Sequence, residues 1–164
     1  MYCAFCDNPK QIKGQIINHR YTESGLDNIT LQGVIEHRCD QCGEVYYNYG
    51  NVEQLNNAIA DILLAKKGLL TPKEIVFLRK KIGYNAAYFA KVLGYKASTI
   101  SRLENGKQAI TETFDHHVRQ AVFNKMPDRD YDLHDRILNP RPMPSQINLK
   151  LTRSAWKFIP SPAI

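Results

Sequence analysis

The 164-residue sequence has no apolar run that approaches the roughly 20 residues of a membrane-spanning helix. Its first residues (MYCAFC) also lack the charged head and the apolar stretch of a secretory signal. Both absences lead us to expect a cytoplasmic protein without a membrane partner. In a reducing compartment, paired cysteines hold a metal ion more often than they form disulfides.

Cysteine is absent after residue 42. The four cysteines form two Cys-x-x-Cys pairs, and 32 residues separate the pairs. This spacing predicts a zinc ribbon with one Zn²⁺ per chain, and the candidate ligands are Cys3, Cys6, Cys39 and Cys42. Four thiolates leave no position for a catalytic water, so the zinc is expected to be structural.

Two alternatives to a four-cysteine zinc site have less support. A redox dithiol is possible for a lone Cys-x-x-Cys, but two pairs without a βαβ pattern disfavour it. His19 and His37 could in principle replace a cysteine ligand, although four cysteines leave both as ordinary surface or strand residues.

The sequence predicts an α+β fold of four parts. Two predicted strands, over residues 14–21 and 29–36, make residues 1–50 a small β-rich zinc-binding module. Residues 51–68 form an amphipathic linker helix, with apolar side chains at Val52, Leu55, Ile59, Ile62 and Leu63. This helix could pack on one module, form a dimer contact or act as a flexible spacer.

Residues 69–126 read as an all-α domain. Thr71, Pro72 and Glu74 provide the cap, first position and capping box of a helix. Its buried stripe contains Ile75, Leu78 and Ile82, and its solvent-facing residues are expected to be Arg79, Lys80 and Lys81. A last helix begins near Thr111, with Phe114, Val118, Ala121 and Val122 on one side.

Within this domain, residues 85–106 predict two short helices and a tight turn. Asn85 caps the first helix, Gly94 suits a reversal with positive φ, and Gly106 ends the second helix. The second helix directs Ile100 and Leu103 inward. Its outward residues are Ala97, Ser98, Ser101 and Arg102. Such a helix-turn-helix presents its second helix to the DNA major groove.

Charge is uneven along the chain, which carries +6 overall. Residues 69–126 hold ten Lys and Arg against four Asp and Glu, whereas residues 1–50 hold four against six. The positive charge therefore surrounds the predicted helix-turn-helix, where attraction to phosphate would need it.

Two resemblances follow from these motifs. The run Leu93-Gly94 and then residues 98–106 (STISRLENG) resembles the phage-repressor (Xre/Cro) family over about residues 72–123. The four-cysteine module, linking helix, LTPKEI segment and helix-turn-helix together resemble the MqsA family of antitoxins, with its YgiT-type zinc finger, over about residues 1–123.

The second resemblance implies a type II toxin–antitoxin system. In that family the zinc module binds a cognate toxin, often an RNA-cleaving enzyme, and the helical module dimerises and represses the shared operon. The alternatives are a stand-alone zinc-containing transcription regulator and a thiol- or metal-dependent enzyme. The enzyme is disfavoured because no cysteine stays free once zinc is bound and His116 and His117 lack a matching carboxylate motif.

The resemblance also implies DNA contacts. Arg102 matches the family arginine that reads bases, and a guanidinium can pair with guanine O6 and N7. Ser98 stands where the best-known member has a base-reading asparagine, so the operator sequence should differ; Ala97 is the third base-reading candidate. The candidate phosphate contacts are Asn85, Lys96, Ser101 and Lys107.

Residues 127–164 form a proline-rich extension outside the resemblance. Six of the eight prolines lie there, so we do not expect the extension to be compact and helical. Alternation over residues 147–152 predicts a strand, which must pair with something. Its partner could be its own protein, or Trp156 and Phe158 could anchor a toxin or a second subunit.

Overall fold

The structure is a computed structural model that describes residues 2–6, 12–126, 131–153 and 155–160. The prediction of an α+β fold is confirmed, with a β-sheet and a four-cysteine cluster in one part and helices in another. The chain divides into two compact units: residues 1–21, 27–55 and 144–164 form the first, and residues 22–26 and 56–143 form the second. None of the described helices is long and apolar enough to cross a membrane.

The first unit contains a five-stranded sheet. Its strands are β1 (Gly14–Arg20), β2 (Ile29–Arg38), β3 (Val45–Asn48), β4 (Ile147–Leu151) and β5 (Trp156–Ile159). Strand β1 runs antiparallel along one edge of β2. The other edge of β2 is shared, because β4 lies parallel to its first half and β3 antiparallel to its second half. Strand β5 pairs antiparallel with β4.

Gly33 interrupts the ladder between β1 and β2. Ile17 pairs with Val34 and Asn18 with Gln32, so Gly33 is an extra residue without a partner on β1. Its φ of 88° is costly for a residue with a side chain. The bulge falls where the neighbour of β2 changes from β4 to β3.

The predicted strand near residue 147 is confirmed as β4, and its partner is its own chain. Apolar side chains of β2 and β4 are fully buried, namely Ile29, Leu31, Val34, Ile147 and Leu149. Trp156 is only 5% exposed and donates its indole N–H to the carbonyl of Tyr49 at 3.0 Å. Of the two roles left open for the aromatic residues, packing on its own protein is the one that Trp156 shows, whereas Phe158 is 41% exposed.

The helices are α1 (Val52–Ala65), α2 (Pro72–Lys81), α3 (Ala86–Leu93), α4 (Ala97–Glu104), α5 (Glu112–Phe123) and α6 (Tyr131–Leu138). The predicted capping box is confirmed: Glu74 N–H donates to Thr71 Oγ1, and Thr71 N–H donates to the Glu74 carboxylate. Within the proline-rich extension, residues 131–138 contain no proline and form the short helix α6, which the prolines did not lead us to expect.

Arg119 ties the end of α1 to the helical unit. Its side chain is buried on α5, pairs with Asp115 at 2.7 Å, and donates to the carbonyls of Leu63, Leu64 and Gly68. These carbonyls belong to the end of α1 and the turn after it, where helix geometry leaves acceptors without internal partners. Three roles were left open for the linker helix. The contacts of Arg119 show that the end of α1 packs on one module, the helical one.

Candidate metal centre and helix-turn-helix

The four cysteines meet at one point of the first unit. Cys3 and Cys6 lie in the turn before β1, and Cys39 and Cys42 lie in the turn between β2 and β3. Their four Sγ atoms all lie within 4.8 Å of one another. The Sγ atoms of Cys3 and Cys42 are 3.6 Å apart, and so are those of Cys6 and Cys39.

These distances fit a zinc ion. Tetrahedral Zn²⁺ with Zn–S bonds of about 2.3 Å places its sulfur ligands about 3.8 Å apart. With four thiolates the tetrahedron is complete, so the site is a structural zinc site. Neither His19 nor His37 is needed as a ligand.

Local backbone geometry holds each pair. The Phe5 N–H donates to Cys3 Sγ at 3.4 Å. In the second pair, the Gly43 N–H donates to the Cys39 carbonyl at 2.9 Å, and Gly43 has a φ of 77°. A positive φ is costly for a residue with a side chain, so this position of the turn suits glycine.

Tyr46 is a member of the site that the cysteine spacing does not reveal. Its hydroxyl lies 3.3 Å from Cys3 Sγ, and its ring packs against the small core of Cys3, Ile12 and Cys39. Its hydrogen bond is the largest cause that lowers the pKa of the Cys3 thiol, and the same bond raises the pKa of Tyr46 to about 12. A hydroxyl that donates to a thiolate favours the form that binds metal.

Helices α3 and α4 and the three-residue turn between them form a helix-turn-helix. Asn85 caps α3 by accepting the Tyr88 N–H at 2.8 Å, and Gly94 has a φ of 74°. On α4 itself, Ile100 and Leu103 are buried. The four residues predicted to face outward are all exposed, namely Ala97, Ser98, Ser101 and Arg102. The inward and outward sides of α4 are therefore as predicted.

The candidate DNA-contacting side chains lie as follows. Among the described residues, the Arg102 guanidinium has no polar partner, so its N–H fork is available. Lys96 and Lys107 are exposed at the two ends of α4. Ser101 accepts from the Asn105 side chain through its carbonyl at 2.7 Å and its hydroxyl at 3.5 Å. Asn85 uses its side-chain oxygen for the cap of α3.

Arg79 was expected in solvent, and that prediction is wrong. The residue is 9% exposed, and its guanidinium donates to both carboxylate oxygens of Glu104, at 2.6 and 3.0 Å. It also donates to the Tyr84 carbonyl at 2.8 Å. The pair joins α2 to the last residue of α4. A buried ion pair therefore holds the C-terminal end of α4 against α2.

A four-thiolate centre on a small sheet, followed by a helix-turn-helix, defines a modular protein with a structural zinc. The chain belongs to the MqsA family, the antitoxin component of a bacterial toxin–antitoxin system, whose family model matches residues 1–128. The resemblance to this family is therefore confirmed. No curated protein and no solved structure gives a significant match.

Proposed function

We propose that this protein is the cytoplasmic antitoxin of a type II toxin–antitoxin pair. In this proposal the zinc module neutralises a cognate toxin, an RNA-cleaving enzyme, and the helical domain of residues 69–126 represses the shared operon as a homodimer. Family membership supports the toxin partner. It also favours this role over that of a stand-alone regulator.

The observation that carries the DNA-binding half of the proposal is that most acidic side chains of the helical domain lie in buried ion pairs. Three of the four acidic residues of the helical domain lie in buried ion pairs: Glu74 with Lys66, Glu104 with Arg79, and Asp115 with Arg119. Two of the ten basic residues, Arg79 and Arg119, also lie in these pairs. The other eight face a single acidic residue that is not in one of them, Glu112. The charge of the domain that is not in these ion pairs is therefore eight positive groups against one negative group.

The chemistry of the α4 surface fits a duplex. Ala97 and Ser98 leave room for close approach to base edges, and Arg102 offers a planar fork for guanine. Lys96, Ser101 and Lys107 flank this surface as phosphate contacts, and Asn85 is a fourth contact at the start of α3. Phosphate contacts position the protein, whereas base contacts supply specificity.

The test compares Arg102→Ala with Lys107→Ala on promoter DNA and on scrambled duplexes at several salt concentrations. Arg102→Ala should weaken operator binding by about 1–3 kcal/mol and leave scrambled DNA nearly unchanged, because it removes a base contact. Lys107→Ala should weaken both alike and reduce the salt slope by about one unit, because it removes a phosphate contact. Equal losses on both duplexes with Arg102→Ala would contradict the role of α4.

A further inference from the structure

The two Cys-x-x-Cys turns of the metal centre are held in different ways. Backbone hydrogen bonds close the second turn: the Cys39 N–H donates to the Glu44 carbonyl and the Gly43 N–H donates to the Cys39 carbonyl, both at 2.9 Å. This turn also connects two paired strands, β2 and β3. The sheet therefore holds the second turn by backbone bonds that need no metal ion.

The first turn is joined to the sheet through a side chain. Within the turn, the Phe5 N–H donates to Cys3 Sγ at 3.4 Å. The same sulfur lies 3.3 Å from the hydroxyl of Tyr46, which is on β3 and follows Cys42 by four residues. When Cys3 is a thiolate the hydroxyl is the donor, because a thiolate carries no proton. This contact thus links the turn that holds Cys3 to the strand that follows the second pair.

Such a link matters most before the metal ion binds. The two cysteine pairs are 32 residues apart in the sequence, and their four sulfur atoms lie within 4.8 Å of one another in the site. Four thiolates at this separation repel one another, and ordering the first turn costs conformational entropy. Zinc binding must offset both costs. A contact that already holds the first turn in place reduces what the metal ion has to offset.

The surroundings of Tyr46 place its hydroxyl for this role. Its ring packs against the small core of Cys3, Ile12 and Cys39, and its main chain pairs with His37 on β2. Cys3 is only 3% exposed, so water competes little for its sulfur. A hydrogen bond in such a low-dielectric place is stronger than one in water.

We propose that Tyr46 is a positioning residue of the zinc site. It holds Cys3 beside the second cysteine pair before the metal ion binds, and it donates to the Cys3 thiolate afterwards. The inference concerns a residue outside the ligand set and goes beyond the proposed function, since it requires neither a toxin nor DNA. Hydrogen bonds to the ligands of a metal typically contribute about 10–100-fold to metal affinity.

The test is Tyr46→Phe in the full chain, which removes the hydroxyl and keeps the ring. Zinc affinity is measured at fixed pH and ionic strength by competition with a chromophoric chelator, and the dissociation constant should rise about 10–100-fold. A second measurement replaces zinc by Co²⁺. Loss of a donor raises the energy of the sulfur electrons, so the thiolate-to-cobalt charge-transfer band should move to longer wavelength. Packing of the ring alone would not move this band.

The matched control is Tyr47→Phe, which removes a hydroxyl from the next residue of β3. The Tyr47 ring lies 4.4 Å from that of His19 and stacks on Tyr49, and neither is a zinc ligand. The zinc affinity and cobalt spectrum of this variant should match those of the unchanged protein. Trp156 is the single tryptophan and donates to the Tyr49 carbonyl, so its fluorescence should confirm the same fold in both zinc-loaded variants.

An unchanged dissociation constant for Tyr46→Phe would overturn the inference. Equal losses in the two variants would also overturn it, because the cause would then be strand β3 and not the one hydroxyl. The same holds for a weaker affinity with an unshifted cobalt band, since the hydroxyl would then not donate to a bound thiolate. If Tyr46→Phe does not fold at saturating zinc, the residue is structural and the inference is wrong. In each case the proposed function stands.

Discussion

The ion pair between Arg79 and Glu104 allows a sharp test of what holds α4 in position. Both side chains are about one-tenth exposed, and each of the three guanidinium nitrogens donates one hydrogen bond, at 2.6 to 3.0 Å. Glu104→Ala removes two of these contacts and leaves the positive charge buried against one carbonyl. Breaking a buried pair in this way costs about 3–5 kcal/mol, whereas an exposed pair contributes about 0–1 kcal/mol.

We expect a loss of about 3 kcal/mol for Glu104→Ala, the lower end of that range, because the pair keeps some contact with solvent. Against a stability of about 5–15 kcal/mol for a whole domain, this loss is large. The assay is urea unfolding followed by far-UV circular dichroism at constant zinc concentration. Glu112→Ala, which removes an exposed acid of the same domain, should cost less than about 1 kcal/mol.

A double-mutant cycle compares Arg79→Met and Glu104→Met with the double variant Arg79→Met/Glu104→Met. Replacing both charges by apolar side chains removes the uncompensated charge, so the double variant should be more stable than Glu104→Ala and within about 1.5 kcal/mol of the unchanged protein. A cost below about 1 kcal/mol for Glu104→Ala would show that the pair behaves like a surface pair. Additive losses in the double variant would show that the two residues act independently. Either result refutes the reasoning.

Two further predictions concern the zinc module. Protein purified without added zinc should contain about one equivalent of tightly bound metal, and replacing all four cysteines by serine should abolish the metal and unfold the sheet; an intact module in that variant would contradict the zinc site. The full chain should rescue growth of cells that express the toxin of the adjacent gene. Cys39→Ser/Cys42→Ser should lose this rescue while Arg102→Ala keeps it, and the reverse pattern would place toxin binding in the helical domain.

Much of the helical domain could be predicted because its signals are local. Thr71 and Asn85 cap helices through N–H groups three residues ahead, and Gly94 takes a positive φ at the turn. The alternation of buried and exposed residues on α4 depends only on helix periodicity. The zinc ligands were predictable for a similar reason, since each Cys-x-x-Cys pair forms within one turn.

Arg79 shows what local signals leave out, namely the partner of a charged side chain. Its charge led to the expectation that Arg79 lies in solvent with Lys80 and Lys81, although it stands four residues after Ile75 and so lies beside the buried stripe of α2. What buries Arg79 is a carboxylate 25 residues away, at the end of another helix. The contact of Tyr46 with the zinc site was not predicted for the same reason, because its partner Cys3 is 43 residues away along the chain. Polar pairs between residues that are far apart along the chain produce no repeating pattern from which the partner could be predicted.

The sheet is the strongest case of long-range order. Strand β4 lies parallel to β2, and a parallel pair requires a long connection without a turn signal of its own. Alternation therefore predicted that β4 exists but could not identify its neighbour or place Trp156 in the core. The family match ends at residue 128, whereas the sheet continues with β4 and β5. Because Ile29 and Leu31 are fully buried beside their register partners Ile147 and Leu149, the extension is an integral part of the unit that holds the zinc site.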